Sequence, residues 1–167
     1  MKRLGWRTVK RLCRRGAGLL LLGLLPSWAA AQSCSVSASA TAFGSYSPLS
    51  ASNNDANGSV TLTCSANALA ALVSYTASLS SGGAASFSPR KMAAGARQLQ
   101  YQLYTNLART TVWGDGTSGT STVAGNLLTS AVLSTNVTLT VYGRIPGSQS
   151  TVSAGSYSDT ITVTVAY

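Results

Sequence analysis

The chain has 167 residues, twelve Lys or Arg against three Asp, no His, and a formal net charge of +9. Such a balance ordinarily invites a nucleic-acid partner. Seven of the twelve cations crowd into the first fifteen residues, so the rest is nearly neutral and that reading is excluded. The absence of His removes the commonest general base and metal ligand.

Lys2, Arg3, Arg7, Lys10, Arg11, Arg14 and Arg15 precede an apolar run from Gly16 to Leu25, then Pro26 and Ala29-Ala30-Ala31. A basic head, a short apolar stretch and small residues before a cut after Ala31 make residues 1–31 a Sec signal peptide. Ten apolar residues are too few to cross a bilayer, which takes roughly 20, so no membrane span is expected. The mature domain, residues 32–167, keeps Arg90, Lys91, Arg97, Arg109 and Arg144 against Asp55, Asp115 and Asp159, a balance of +2. Arg90-Lys91, the one adjacent pair of cations, reads as solvated surface rather than a phosphate site. Cys13 leaves with the leader. Cys34 and Cys64 remain, and an even pair in an oxidising compartment reads as one structural disulfide.

Six strands follow in order. Cys34 to Ala42 alternates weakly and ends at Phe43-Gly44. Ser59 to Cys64 puts Val60, Leu62 and Cys64 on one face. Val73 to Leu79, Leu99 to Tyr104 and Val137 to Tyr142 alternate likewise. Tyr157 to Tyr167 closes the series with the clearest pattern. Ile161, Val163, Val165 and Tyr167 point one way, and Thr160, Thr162, Thr164 and Ala166 the other. Asn57-Gly58, Ser81-Gly82-Gly83, Gly114-Asp115-Gly116 and Pro146-Gly147 read as turns between them. Six strands punctuated this way predict an all-β sandwich in a single domain. An immunoglobulin-like sandwich needs seven, so one is missing.

Catalysis finds little support. The Ser and Thr hydroxyls have no adjacent base to activate them. Asp55, Asp115 and Asp159 each stand beside Gly, Asn or Ser, where Asp is ordinarily a turn or cap residue. Gly114 to Gly119 matches G-x-G-x-x-G, but no helical pattern follows, as a dinucleotide site requires. A lone carboxylate at Asp115 is a poor calcium site, and Trp113 reads as packing rather than a sugar platform. Neither enzyme activity nor a cofactor or metal is expected.

Several stretches carry a resemblance. They are Cys34 with Phe43-Gly44-Ser45-Tyr46, Gly58-Ser59-Val60 to Cys64, Arg90-Lys91-Met92, and Leu99-Gln100-Tyr101-Gln102-Leu103-Tyr104. Val112-Trp113-Gly114-Asp115-Gly116, Val141-Tyr142-Gly143-Arg144-Ile145-Pro146 and Gly155 through Asp159 continue the series. Together, and in this order, they resemble the spore coat protein U domain family, whose members include subunits of archaic chaperone–usher pili. The resemblance implies an immunoglobulin-like β-sandwich of six main strands without its seventh, and a disulfide joining the first two strands. It also implies a periplasmic pilus chaperone, an outer-membrane usher, and other pilus subunits that supply the absent strand by donor-strand complementation. Ile161, Val163, Val165 and Tyr167 are then the expected lining of the open groove, with Tyr167 anchored by the chaperone.

One departure from that pattern stands out. After a cut at Ala31 just Gln32 and Ser33 precede Cys34. Two residues reach about 7 Å, well short of a strand of about five or six residues. The chain is expected to accept a strand and not to give one, as a pilus tip or minor subunit. The alternative is a secreted spore-coat or cell-surface protein outside any pilus.

Overall fold

The computed structural model describes residues 32–66, 71–130 and 133–167. The expected signal peptide at 1–31 lies outside them. Among the described residues there is no helix, and eight strands form two antiparallel sheets. In chain order they are β1 (Gln32–Ser39), β2 (Asn54–Ala66), β3 (Ala71–Leu79), β4 (Arg90–Ala94), β5 (Arg97–Tyr104), β6 (Val123–Thr129), β7 (Thr135–Ile145) and β8 (Val163–Ala166). The larger sheet runs β1-β2-β7-β5-β4 and the smaller β6-β3-β8. This is the expected all-β, immunoglobulin-like sandwich, with a strand at each of the six expected places. The first stops at Ser39 rather than Ala42, and the last covers Val163–Ala166 rather than Tyr157 to Tyr167, because the residues before it run as the wall of the opening. β4 and β6 are additional.

The alternation in sequence becomes the inner faces of the two sheets. Val60, Leu62 and Cys64 of β2 are at most 1% exposed, and Val73, Tyr75, Ala77 and Leu79 of β3 are buried opposite them. Trp113 closes one end of this core. It is fully buried, its indole N–H donates to Ala77 O at 3.1 Å, and its own N–H donates to Leu103 O at 2.9 Å. Because Ala77 belongs to β3 and Leu103 to β5, the loop carrying Trp113 ties the two sheets together. At the other end Cys34 and Cys64 face each other across the β1–β2 ladder and are joined by a disulfide, with Cα atoms 4.1 Å apart. Leu62, Val73, Tyr75 and Leu127 pack around it.

Two local readings change. Asn57-Gly58 was expected as a turn, yet it lies within β2, which begins at Asn54. Gly58 faces inward, and a Cβ there would come within 2.6 Å of Thr41 Oγ1. Gly143, inward on β7, is covered in the same way by Thr41 Cγ2 and the Phe43 ring. The two glycines therefore leave room for the segment after β1 to cross the inner face of the large sheet, so here glycine marks a close approach rather than a turn. Arg90, expected on the surface with Lys91, is 0% exposed.

On the outer face of the large sheet Asp55 and Arg144 are direct neighbours on β2 and β7 and pair through two bonds of 2.7 and 2.8 Å. Arg109 reaches the same carboxylate at 3.3 Å and pins the loop after β5 onto the sheet. The Arg144 hydrogen bond, opposed by burial and helped by the charges of Arg109 and Arg144, holds the Asp55 carboxyl below its ordinary 3.8. A depressed carboxylate contributes stability that is present above its unfolded pKa and lost as pH falls through the folded one. Asp55→Asn should therefore remove part of the fall in melting temperature seen on acidification below about pH 4. Parallel melting curves for the variant and the wild type between pH 7 and pH 3 would contradict this.

Candidate functional site: the groove between β1 and β8

Among the described residues β1 pairs with β2 alone and β8 with β3 alone, so each strand carries one row of backbone groups that no described strand pairs. These two free edges flank one opening of the sandwich. At one end the Tyr167 hydroxyl donates to Cys34 O at 3.4 Å, which brings the end of β8 to the start of β1. At the other end a cavity of about 1040 Å³ is lined by Ala38 and Ser39 of β1 and by Ile161 and Val163 around the start of β8. The two strands thus run antiparallel across the gap. A strand inserted between them would be parallel to one and antiparallel to the other.

The floor of this groove is the core itself. Val60, Leu79, Leu103, Val141 and Ile145 are each at most 6% exposed and line the cavity from below. One wall is the segment after β1, where Phe43 meets Tyr101 edge to face with ring centroids 6.1 Å apart. Asn54 Nδ2 fastens that segment by donating to Phe43 O and Ser45 O at 3.0 and 3.1 Å, and Tyr46 donates to Pro146 O at 2.8 Å. The opposite wall is the long connection from β7 to β8. Ala93 and Ser158 exchange two backbone hydrogen bonds of 2.9 and 3.1 Å, and the Gln149 side-chain amide both donates to and accepts from the Gln100 backbone. Gln149 thereby fills the space left where β5 and β7 diverge, since those strands pair just from Gln102 to Tyr104.

Asp159 sits where this wall meets the cavity. Its Oδ1 accepts from Gly83 N and Thr160 N, each at 2.8 Å, and its Oδ2 accepts from the Tyr101 hydroxyl at 2.6 Å. Burial, followed by this bond to Asp159, pushes the Tyr101 phenol well above its ordinary 10.0, so it stays a donor at any physiological pH. Asp159 therefore joins the wall to both sheets: Gly83 follows β3 and Tyr101 lies on β5.

The sequence-expected lining is partly assembled here. Ile161 and Val163 are half-buried, pack on the main core cluster and line the cavity. Val165 turns inward too, but it also packs on the cluster around the disulfide, away from the cavity. Tyr167 keeps the same side of the strand yet is 56% exposed. The residues that sequence reasoning passed over are Tyr101, Asp159 and the Thr41–Phe43 crossing. The paired glycines at 58 and 143 are the signal that could have found the last of these. Among the described residues no three His, Cys, Asp or Glu side chains converge as a metal site would require. Nor, among these same described residues, is any helix long and apolar enough to cross a membrane.

Known proteins give the following comparison. The model of the Spore Coat Protein U domain matches residues 24–164. No curated protein matches the chain. The fold is similar to a chain in the crystal structure of the CsuC–CsuE chaperone–tip adhesion subunit pre-assembly complex, from the archaic chaperone–usher Csu pili of Acinetobacter baumannii. That likeness has a TM-score of 0.53 at 23% identity over 82% of this chain, and it spans 40% of the length of the other. At that identity it speaks for the sandwich fold alone. With a family match running from the first residues ahead of β1 to the middle of β8, the chain belongs to the Spore Coat Protein U domain family.

Proposed function

We propose that this protein is a structural subunit of an archaic chaperone–usher pilus, not an enzyme, and that it works by accepting a β-strand from a partner. The observation that carries the reading is the groove: two unpaired strand edges bounding an apolar cavity that opens onto the core. Exposed strand edges and open cores drive aggregation unless something covers them, and β-strand addition is the interaction that satisfies both at once. Family membership and the likeness to a chaperone–subunit complex support the same partners. These are a periplasmic chaperone first, then an outer-membrane usher and neighbouring subunits, with no nucleic acid and no membrane span.

Residues 1–31 then serve as the export signal and 32–167 as the working domain, passing through the periplasm to the cell surface. The pairing of β1 supports a tip or minor position. Gln32 to Ser39 is paired along its whole length with β2 and is held by the disulfide, so it is not available to a neighbour. A subunit that accepts but does not lend a strand sits at a fibre end.

The test is periplasmic co-expression with the pilus chaperone and usher, followed by co-purification and immunogold labelling of fibres. Gold at fibre ends, together with a stable one-to-one chaperone complex, is the expected result. Regular labelling along the shaft would refute the terminal position, and failure to bind a chaperone or enter any fibre would favour the coat or surface role. A pair of variants probes the groove itself. Val163→Asp places an unpaired carboxylate on the cavity lining, at a cost of about 2 kcal/mol or more, and should abolish chaperone capture. Thr162→Asp, on the exposed side, should be mild. Equal effects at the two positions would mean that the inward face of β8 has been misassigned.

A further inference from the structure

We infer that the groove reads charge as well as apolar pattern: its partner strand carries a Lys or Arg that reaches Asp159. This rests on the strand-accepting reading above and adds the chemistry of the strand that is accepted. Asp159 is the one charged side chain among the described residues lining the cavity, whose other walls are apolar or hydroxyl-bearing. It is also a carboxylate without a bonded cation. Both ion pairs among the described residues use Asp55. The three groups that bond Asp159 are two backbone N–H groups and a phenol, all neutral. Arg90 feels the Asp159 charge but forms no ion pair with it, and its own hydrogen bonds go to Ser80, Gln102 and Trp113.

A carboxylate accepts about four hydrogen bonds, so three neutral donors leave Asp159 a site for one more. In the open groove it is half-buried, still within reach of water, which can supply that bond. A strand laid between β1 and β8 displaces the water and lowers the local dielectric. The cost of enclosing a charge that has no bonded cation then rises. A cation on the incoming strand removes that cost, a neutral residue leaves it, and an acid adds repulsion. The groove can thus discriminate among strands of equal hydrophobicity at a single position, which is the usual way one charge confers specificity.

The experiment uses the full mature chain with an alternating Val/Thr donor segment of nine residues attached after Tyr167 through a short turn. This geometry lays the donor antiparallel to β8 and parallel to β1. Lys, Gln and Glu are placed in turn at each donor position and the melting temperature is read. The expected result is one position at which Lys melts highest and Glu lowest, with Lys above Gln by roughly 3–5 °C. High salt should shrink the gap, and Asp159→Asn should close it. The donor-side exchange leaves the wild-type domain untouched, so the outcome does not depend on whether that variant folds well. A donor that stabilises equally with Lys, Gln and Glu at every position would overturn the charge inference and leave strand acceptance standing. A donor that fails to raise the melting temperature at all would overturn both.

Discussion

Arg90→Leu should cost about 3–5 kcal/mol and leave little folded protein in the periplasm. The side chain is completely buried, yet it makes no hydrogen bond to a carboxylate. Its guanidinium instead donates to Ser80 O at 3.3 and 2.9 Å, to Trp113 O at 2.7 Å and to Gln102 Oε1 at 2.8 Å. The Phe87 ring lies 5.3 Å away, within cation–π range. These acceptors come from the end of β3, the loop that caps the core and β5, so one planar fork holds three parts of the sandwich in register. Burial lowers the Arg90 pKa, with Tyr101, Asp159 and Asp115 partly opposing, and an arginine still keeps its proton. Replacing a buried ion by an apolar residue is harmless when its partners go too. Here the partners remain, and Ser80 O and Trp113 O would each be left unbonded inside the protein, at about 1–3 kcal/mol apiece. Arg90→Lys should also fail to restore the wild type, because an ammonium cannot reproduce the fork. Urea denaturation of the chaperone-released or donor-complemented protein measures the effect. A midpoint for Arg90→Leu equal to that of the wild type would contradict the assignment.

Breaking the disulfide should have the next largest consequence. The bond closes a loop with a sequence separation of 30, which the chain-entropy model values at roughly 3–4 kcal/mol. Its position enlarges the effect. β1 is an edge strand whose residues are nearly all exposed, so little besides its ladder to β2 and this covalent bond holds it in place. Cys64 is 0% exposed at the centre of the second core cluster, and a polar replacement there would disturb Leu62, Val73, Tyr75 and Leu127 as well. Cys34→Ser is the cleaner variant, because Cys34 lies at the margin of the cluster. It should lower the melting temperature by at least about 8 °C and expose the β1 amides to exchange. Mass spectrometry of unreduced protein should show the Cys34 and Cys64 peptides linked. Free thiols in exported material, or a linked dimer as the main species, would contradict the assignment.

What the sequence disclosed, and what it hid, follows from which inner positions carry apolar side chains. β2, β3, β5, β7 and β8 show period-two alternation because most of their inward residues are Val, Leu, Ile or Tyr, and the pattern survives being read without a structure. β6 does not announce itself. Its inward positions include Gly125, whose missing side chain makes room for Tyr75, and Thr129, which donates to Ala71 O at 3.1 Å. β4 is short and begins with Arg90, which any rule based on hydropathy assigns to solvent. The count of six strands that suggested a missing one does not hold, since β4 and β6 bring the described total to eight. The open edges of β1 and β8 are seen in the structure alone, as are the walls of the groove. The crossing at Thr41–Phe43 depends on two glycines 85 positions apart in sequence, Gly58 and Gly143, and Asp159 looks like a turn residue until Tyr101 is placed beside it. Long-range pairs such as these leave no local periodicity to read.

Amide hydrogen exchange is the most direct test of the central claim, that a partner strand enters between β1 and β8. The protein should be compared free and in the presence of a pilus chaperone or of an added donor strand. Amides on the outward edges of Gln32–Ser39 and of the Ile161–Tyr167 segment should exchange freely alone and slow by at least about tenfold in the complex. The outer edge of β6 should be unchanged. Protection appearing at β6 while the β1 and β8 edges stay as they were would contradict it.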